Sequence, residues 1–192
     1  KEKKESAPLD LQIRSLIIRN GSISFRQQKE RLNGNGKLLP QDVELSNVSA
    51  HILLNKLTND SLSLKVKRLS VKEQSGAAID NLTFHLEAGS KSAMLSEFVL
   101  VMPKTCVNID KITATYSTHN NKIDKGSIQY VGAIESKSLS PSDFGFLLPK
   151  LRKSDETFVF YSAFNGTASK LNVSKVRLSS SSNNIDLDAE GA

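Results

Sequence analysis

One figure recurs along the chain and limits the folds open to it: apolar-x-apolar-x-x-apolar-x-apolar. It occurs six times, as Leu11, Ile13, Leu16, Ile18; Val43, Leu45, Val48, Ala50; Leu64, Val66, Leu69, Val71; Ala77, Ile79, Leu82, Phe84; Val107, Ile109, Ile112, Ala114; and Leu171, Val173, Val176, Leu178. Alternation of apolar and polar residues is the period of a half-buried β-strand. The spacing of three in the middle would throw the second half onto the wrong face. A β-bulge or a sharp bend restores it. The inserted pairs are all polar: Arg14-Ser15, Ser46-Asn47, Lys67-Arg68, Asp80-Asn81, Asp110-Lys111 and Ser174-Lys175. The figure therefore predicts long strands, each bent once, that keep one apolar face inward. The intervals between slips are irregular, so no fixed-period solenoid is expected.

The densest part is residues 62–86. Leu62, Leu64, Val66, Leu69 and Val71 lead to a Ser75-Gly76 turn, and Ile79, Leu82, Phe84 and Leu86 follow it. Elsewhere Asn20-Gly21 and Asn165-Gly166 read as turns, the first closing a hairpin between 9–18 and 23–25. Residues 27–37 read as a polar, Gly-rich loop. The NGNGK within it lacks the spacing and hydroxyl residue of a phosphate-binding loop. Strands are expected at 38–54, 98–102 (Phe98, Leu100, Met102), 107–116, 128–134, 157–164 and 171–178, with 157–164 buried on both faces. One segment departs from the strand pattern. Ser140-Pro141-Ser142-Asp143 is a helix-start signal, and Phe144, Leu147, Leu148 and Leu151 recur at helical spacing. Pro149 limits this predicted helix over 140–151 to about two turns, and its apolar side would cap one end of a sheet.

Composition narrows the function. With 192 residues and 38% hydrophobic content, one domain of ordinary size is expected. Residues 1–8 read as a charged linker and 9–192 as a single β-rich domain, cut from a longer envelope protein. No run of 18 apolar residues and no secretory signal is present. The net charge of +6 is spread along the chain as a solvated face. His51, His85 and His119 have no partners at metal-ligand spacing, and Cys106 has no adjacent base. No catalytic triad elbow, dinucleotide fingerprint or carboxylate pair stands out. The expectation is a non-enzyme without cofactor. With no Trp, three Tyr and eight Phe, stacking platforms for sugars or single-stranded nucleic acid are disfavoured. What remains is aliphatic surface, which either closes on itself as a sandwich or lines a groove for something apolar.

Five segments, in order, resemble the TamB family of AsmA-like proteins of the Gram-negative envelope. They are LQIRSLIIRNGSISF (11–25), LSLKVKRLSVKEQSGAAIDNLTFHL (62–86), FVLVMPKTCVNIDKITATYS (98–117), LSPSDFGFLLPKL (139–151) and FNGTASKLNVSKVRL (164–178). Met102 and Cys106 stand where Thr and Ser are commoner in that family. The resemblance implies a mainly β fold: an elongated, strongly curved, antiparallel-rich sheet forming a U-shaped trough, with one short helix near 140–151. It implies a periplasmic segment of a bridge between the two membranes that shields phospholipid acyl chains and supports outer-membrane biogenesis. An inner-membrane anchor and a C-terminal region that docks on an Omp85-type partner are expected in the full-length protein. The groove candidates on this reading are Leu62, Leu64, Val66, Leu69, Val71, Ile79, Leu82, Phe84, Leu86, Leu100 and Met102. Two other readings compete: a closed β-sandwich serving a cell-surface protein as a structural or adhesive module, and a lipocalin-like barrel.

Overall fold

The computed structural model describes residues 9–27, 37–119, 122–182 and 184–191. Its strands are β1 (Asp10–Arg26), β2 (Asp42–Thr58), β3 (Leu62–Glu73), β4 (Ala78–Ile79), β5 (Asn81–Ala88), β6 (Ser92–Val101), β7 (Cys106–Thr115), β8 (Thr118–His119), β9 (Lys122–Ile123), β10 (Gln129–Leu139), β11 (Phe158–Thr167), β12 (Leu171–Ser180) and β13 (Asp186–Glu190). Ten of them form one sheet in the order β1-β2-β3-β5-β6-β7-β10-β11-β12-β13, with β4 extending the edge of β3. Every neighbouring pair is antiparallel, and β8 with β9 makes a separate small hairpin. The sheet is not closed, because β1 and β13 each pair on one side only. That rules out the lipocalin-like barrel. Among the described residues the only other sheet is the two-stranded β8–β9, which meets the face only near Leu57, Leu62 and Ala88, so the two large packed sheets of a closed sandwich are not seen.

The six slips are where strand pairing shifts. At Arg14-Ser15, three steps on β1 (Ile13 to Leu16) face two on β2 (Leu54 to Ile52). Ser46-Asn47 makes the same excess on β2 against both neighbours, with Asn47 at φ 53. On β3 the extra residue lies at Lys67-Arg68, on β7 at Asp110-Lys111, and on β12 at Ser174-Lys175. At Asp80-Asn81 the strand breaks outright between β4 and β5. β6 carries a seventh slip at Ser96-Glu97, where Glu97 takes φ 54, and it compensates the one beside it on β7. The apolar side chains therefore return to one face after each irregularity.

Four local expectations are corrected. Asn20-Gly21 is a bulge inside the 17-residue β1, with Asn20 at φ 51, and no hairpin turns there. Asn adopts the left-handed region readily, so the dipeptide serves a bulge as well as a turn. Likewise Asn165-Gly166 lies within β11, and the chain turns afterwards at 168–170. The helix over 140–151 is replaced by two 3₁₀ turns, Pro141–Phe144 and Pro149–Lys153. Gly145 separates them and is buried under Arg152: a Cβ there would lie 2.3 Å from Arg152 Cγ. Leu147 and Leu148 are exposed, so the helical-spacing residues share no buried face. Nor is β11 buried on both sides, since Val159 is exposed. Residues 1–8 and most of the 27–37 loop lie outside the described residues.

The segment still caps one end of the sheet, as its position predicts. Ser140 N–H donates to Thr105 Oγ1 at 3.0 Å, and Lys104 N–H donates to Asp143 Oδ2 at 2.9 Å. Arg152 Nη2 donates to the Ser75 carbonyl at 2.9 Å, and Leu38 N–H to the Phe146 carbonyl at 2.8 Å. The fully buried side chains Thr105, Asp42, Ser136 and Ser140 gather at this end. They are small and polar, and they are hydrogen-bonded, as burial requires: Ser136 Oγ donates to the Cys106 carbonyl at 2.8 Å.

Candidate functional site: the apolar sheet face

Partners in a β-ladder share a face, so the register reads out rows across the sheet. One row runs Leu11, Leu57, Leu62, Ala88, Ala93, Ala114, Tyr130, Gly166, Leu171. The next runs Ile13, Leu54, Leu64, Leu86, Leu95, Ile112, Gly132, Phe164, Val173. Leu16, Ile52, Val66 and Phe84 begin a third. Toward the capped end, Leu82, Leu100, Val107, Ser136, Phe160, Leu178 and Leu187 form a fourth. Ten strands thus contribute to a nearly unbroken aliphatic face.

The groove candidates fall together within it. Leu62, Leu64, Val66, Leu69 and Val71 lie on β3; Ile79 faces Val71 from β4; Leu82, Phe84 and Leu86 follow on β5; Leu100 faces Leu82 from β6, and Met102 stands just beyond its end. Val66 and Met102 are buried, and the other nine are half-buried. The Phe84 and Phe98 rings stack at 6.5 Å between centroids. Among the described residues the only other buried apolar side chains are Val48, Ala50 and Ile109. A closed core of this many strands would bury far more.

The face extends well past the eleven candidates. Phe98, Val107, Ile109, Ile112, Phe160, Phe164 and Leu178 belong to it, and the same spacing figure marks most of them. Its far side is polar. A row there runs Lys65, His85, Ser96, Lys111, with Leu53 ahead of it on β2. Lys65 Nζ reaches across β5 to Glu97 Oε2 at 2.9 Å, and that hydrogen bond, with the ammonium charge, holds the Glu97 carboxyl below its ordinary range.

Other reactive side chains are scattered. Ser15 Oγ lies 3.2 Å from His51 Nε2 on the exposed first ladder, with no carboxylate bonded to that imidazole among the described residues. His85 Nε2 is buried without a hydrogen-bond partner, 3.7 Å from Glu87 Oε1. The Cys106 thiol is half-buried. Among the described residues no three His, Cys, Asp or Glu side chains gather as a metal site, and no helix is long and apolar enough to cross a membrane. No protein-family model, no curated protein and no solved structure matches this chain, so the aliphatic face is the feature from which a function must be argued.

Proposed function

We propose that this chain is a segment of a bridge between the inner and outer membranes, in which the aliphatic sheet face shields phospholipid acyl chains in transit through the periplasm. The observation that carries the reading is the breadth of that face: rows of Leu, Ile, Val and Phe cross ten strands with no second large sheet over them among the described residues. Each buried methylene of a lipid tail gains about 0.8 kcal/mol, so a 16-carbon tail carried through water would face a barrier of roughly 12 kcal/mol. A continuous aliphatic surface lowers it, and no catalytic residue is needed.

The U-shaped trough belongs to this proposal. Bulges bend the strands that carry them, and this sheet has one or more on several of its strands. The capping segment fits the same reading: it leaves β10 and meets Leu38, which precedes β2, five strands away in the sheet order, and a curled sheet shortens that reach. An inner-membrane anchor and an Omp85-type partner would be supplied through other parts of the full-length protein.

Photo-crosslinking tests the reading. A benzophenone side chain placed at Leu64 or Phe84 during expression in a Gram-negative envelope should capture phospholipid, identified by mass spectrometry. The same group at Lys65, on the opposite face of β3, should not. Equal capture at both faces, or none at Leu64 and Phe84, would overturn the proposal.

A further inference from the structure

We infer that phospholipids lie on the apolar face in one orientation, along the strands, with tail ends toward the capped end and headgroups at the opposite end. The inference rests on the lipid-shielding reading and adds a direction to it. The two ends of the strands differ in closure, polarity and charge. At the capped end, the segment after β10 crosses the sheet. It bonds to Lys104 and Thr105 between β6 and β7, to Ser75 between β3 and β4, and to Leu38 ahead of β2. The fully buried side chains lie here, and their hydroxyls are spent locally. Ser140 Oγ is 2.9 Å from Ser142 Oγ, and Ser136 Oγ donates to the Cys106 and Ser138 carbonyls. Glu73 Oε1 is buried without a hydrogen-bond partner among the described residues. A phosphate brought to this end would lose its water and face that carboxylate.

The opposite end is built otherwise. None of residues 57–62, 88–93 or 113–119 is buried. A cleft of about 280 Å³ opens there between the sheet and the β8–β9 hairpin. Its floor is Leu57, Leu62 and Ala88, from the last aliphatic row, and its walls include Ser61, Ser90 and Thr118. An aliphatic floor passing into a hydroxyl wall matches a phospholipid where tail gives way to headgroup. Lys91 and Lys122, next in sequence to Ser90 and Ile123 of the cleft, are exposed and in no ion pair among the described residues. The nearby carboxylates are engaged: Asp60 accepts from Thr58 Oγ1 at 2.8 Å and Asp124 from Gly126 N–H at 3.0 Å. A phosphate here keeps its water and has cations within reach. The length fits as well. The run of β5 from Ala88 to Leu82 spans about 20 Å, and the tails of one leaflet fill about 15 Å, half of a bilayer's hydrocarbon core. A tail that starts over Ala88 therefore ends near Leu82 and Leu100, in the row beside the capped end.

Two photoreactive phosphatidylethanolamine analogues test this, one with a diazirine at the tail terminus and one with it on the headgroup. Each is presented to the 192-residue chain in phosphatidylethanolamine vesicles and illuminated, and the labelled residues are located by mass spectrometry. The headgroup probe should label residues 57–62, 88–93 and 116–119 severalfold more than residues 100–107 and 139–157. The tail probe should label residues 78–84 and 100–107 severalfold more than the cleft. Equal labelling of both ends by each probe, or the reverse pattern, would overturn the orientation and leave the face as a lipid shield. No labelling of the apolar face by either probe would overturn the shield, and the orientation with it.

Discussion

The centre and the margins of the sheet are written in the same figure but reach different environments. Leu16, Ile52, Val66 and Phe84 lie in one row, on β1, β2, β3 and β5. Val66 is 4% exposed and Leu16 is 44% exposed. Leu171 and Val173 on β12 resemble Leu16 in this, at 61% and 41%. A single-layer sheet has no second sheet to bury its face, so cover comes mainly from strands on either side. A side chain with long neighbours left and right is shielded, while one at the margin is not. The spacing of apolar residues fixes the face, and position in the sheet order fixes the burial.

The largest expected effect tests that contrast directly. Val66→Asp puts an unpaired carboxylate among Ile52 and Phe84 and should cost about 3–4 kcal/mol, whereas Leu16→Asp, in the same row, should cost less than about 1. Urea denaturation of both variants measures the difference. Equal costs would mean that the margin is covered in solution or that the centre is wetter than its packing.

Asp42 is where the contrast could break. It lies on β2, its carboxylate is 1% exposed, and Arg26 of the marginal β1 donates to it at 3.2 Å. Asp42→Ala removes a buried acceptor and strands its donors, at about 2–3 kcal/mol. If hydrogen exchange on β1 also rises near Arg26 more than near Leu11, the margin is pinned at the capped end and loose at the other.

Glycines sharpen the same point. On the central β10, a Cβ at Gly132 would lie 2.5 Å from Ile112 Cγ1 and 3.3 Å from Ile112 Cα. Gly132→Ala should therefore cost about 1–3 kcal/mol in the denaturation midpoint. At Gly191, beyond β13, the nearest atom to a new Cβ is Val173 O at 3.4 Å. Gly191→Ala should be close to neutral.

Much of the strand architecture was legible because bulges have a period signature: a spacing of three flanked by spacings of two. All six slips with polar pairs proved to be irregularities of pairing or a strand break. The seventh, Leu95 to Phe98, has the polar pair Ser96-Glu97 and could have been found the same way. Turns were less legible, since Asn20-Gly21 and Asn165-Gly166 supply backbone freedom without saying whether the chain reverses. The 140–151 segment misled because helix-start chemistry and helical spacing are local, while Gly145 beneath Arg152 and the bond from Lys104 to Asp143 are tertiary. The candidate face was legible in its residues. Its breadth was not, because the rows exist only once the register joins strands that lie far apart in sequence.

The smallest effect concerns the polar side of the centre. Lys65 and Glu97 pair across β5, much as Arg177 and Asp188 pair at the margin, and both pairs are substantially exposed. Exposed pairs contribute little wherever they lie, so here centre and margin should converge. The Glu97 carboxyl is held below its ordinary value, first by the hydrogen bond from Lys65 and then by that residue's charge. A carboxyl with a lowered folded-state pKa contributes stability above its unfolded pKa and loses it as pH falls through the folded one. The urea midpoint of the wild type should therefore fall slightly more steeply in acid than that of Glu97→Gln, with the two curves meeting once both pKa values are passed. A gap that persists at the acid end would assign the difference to the left-handed backbone at Glu97, a cost that does not titrate.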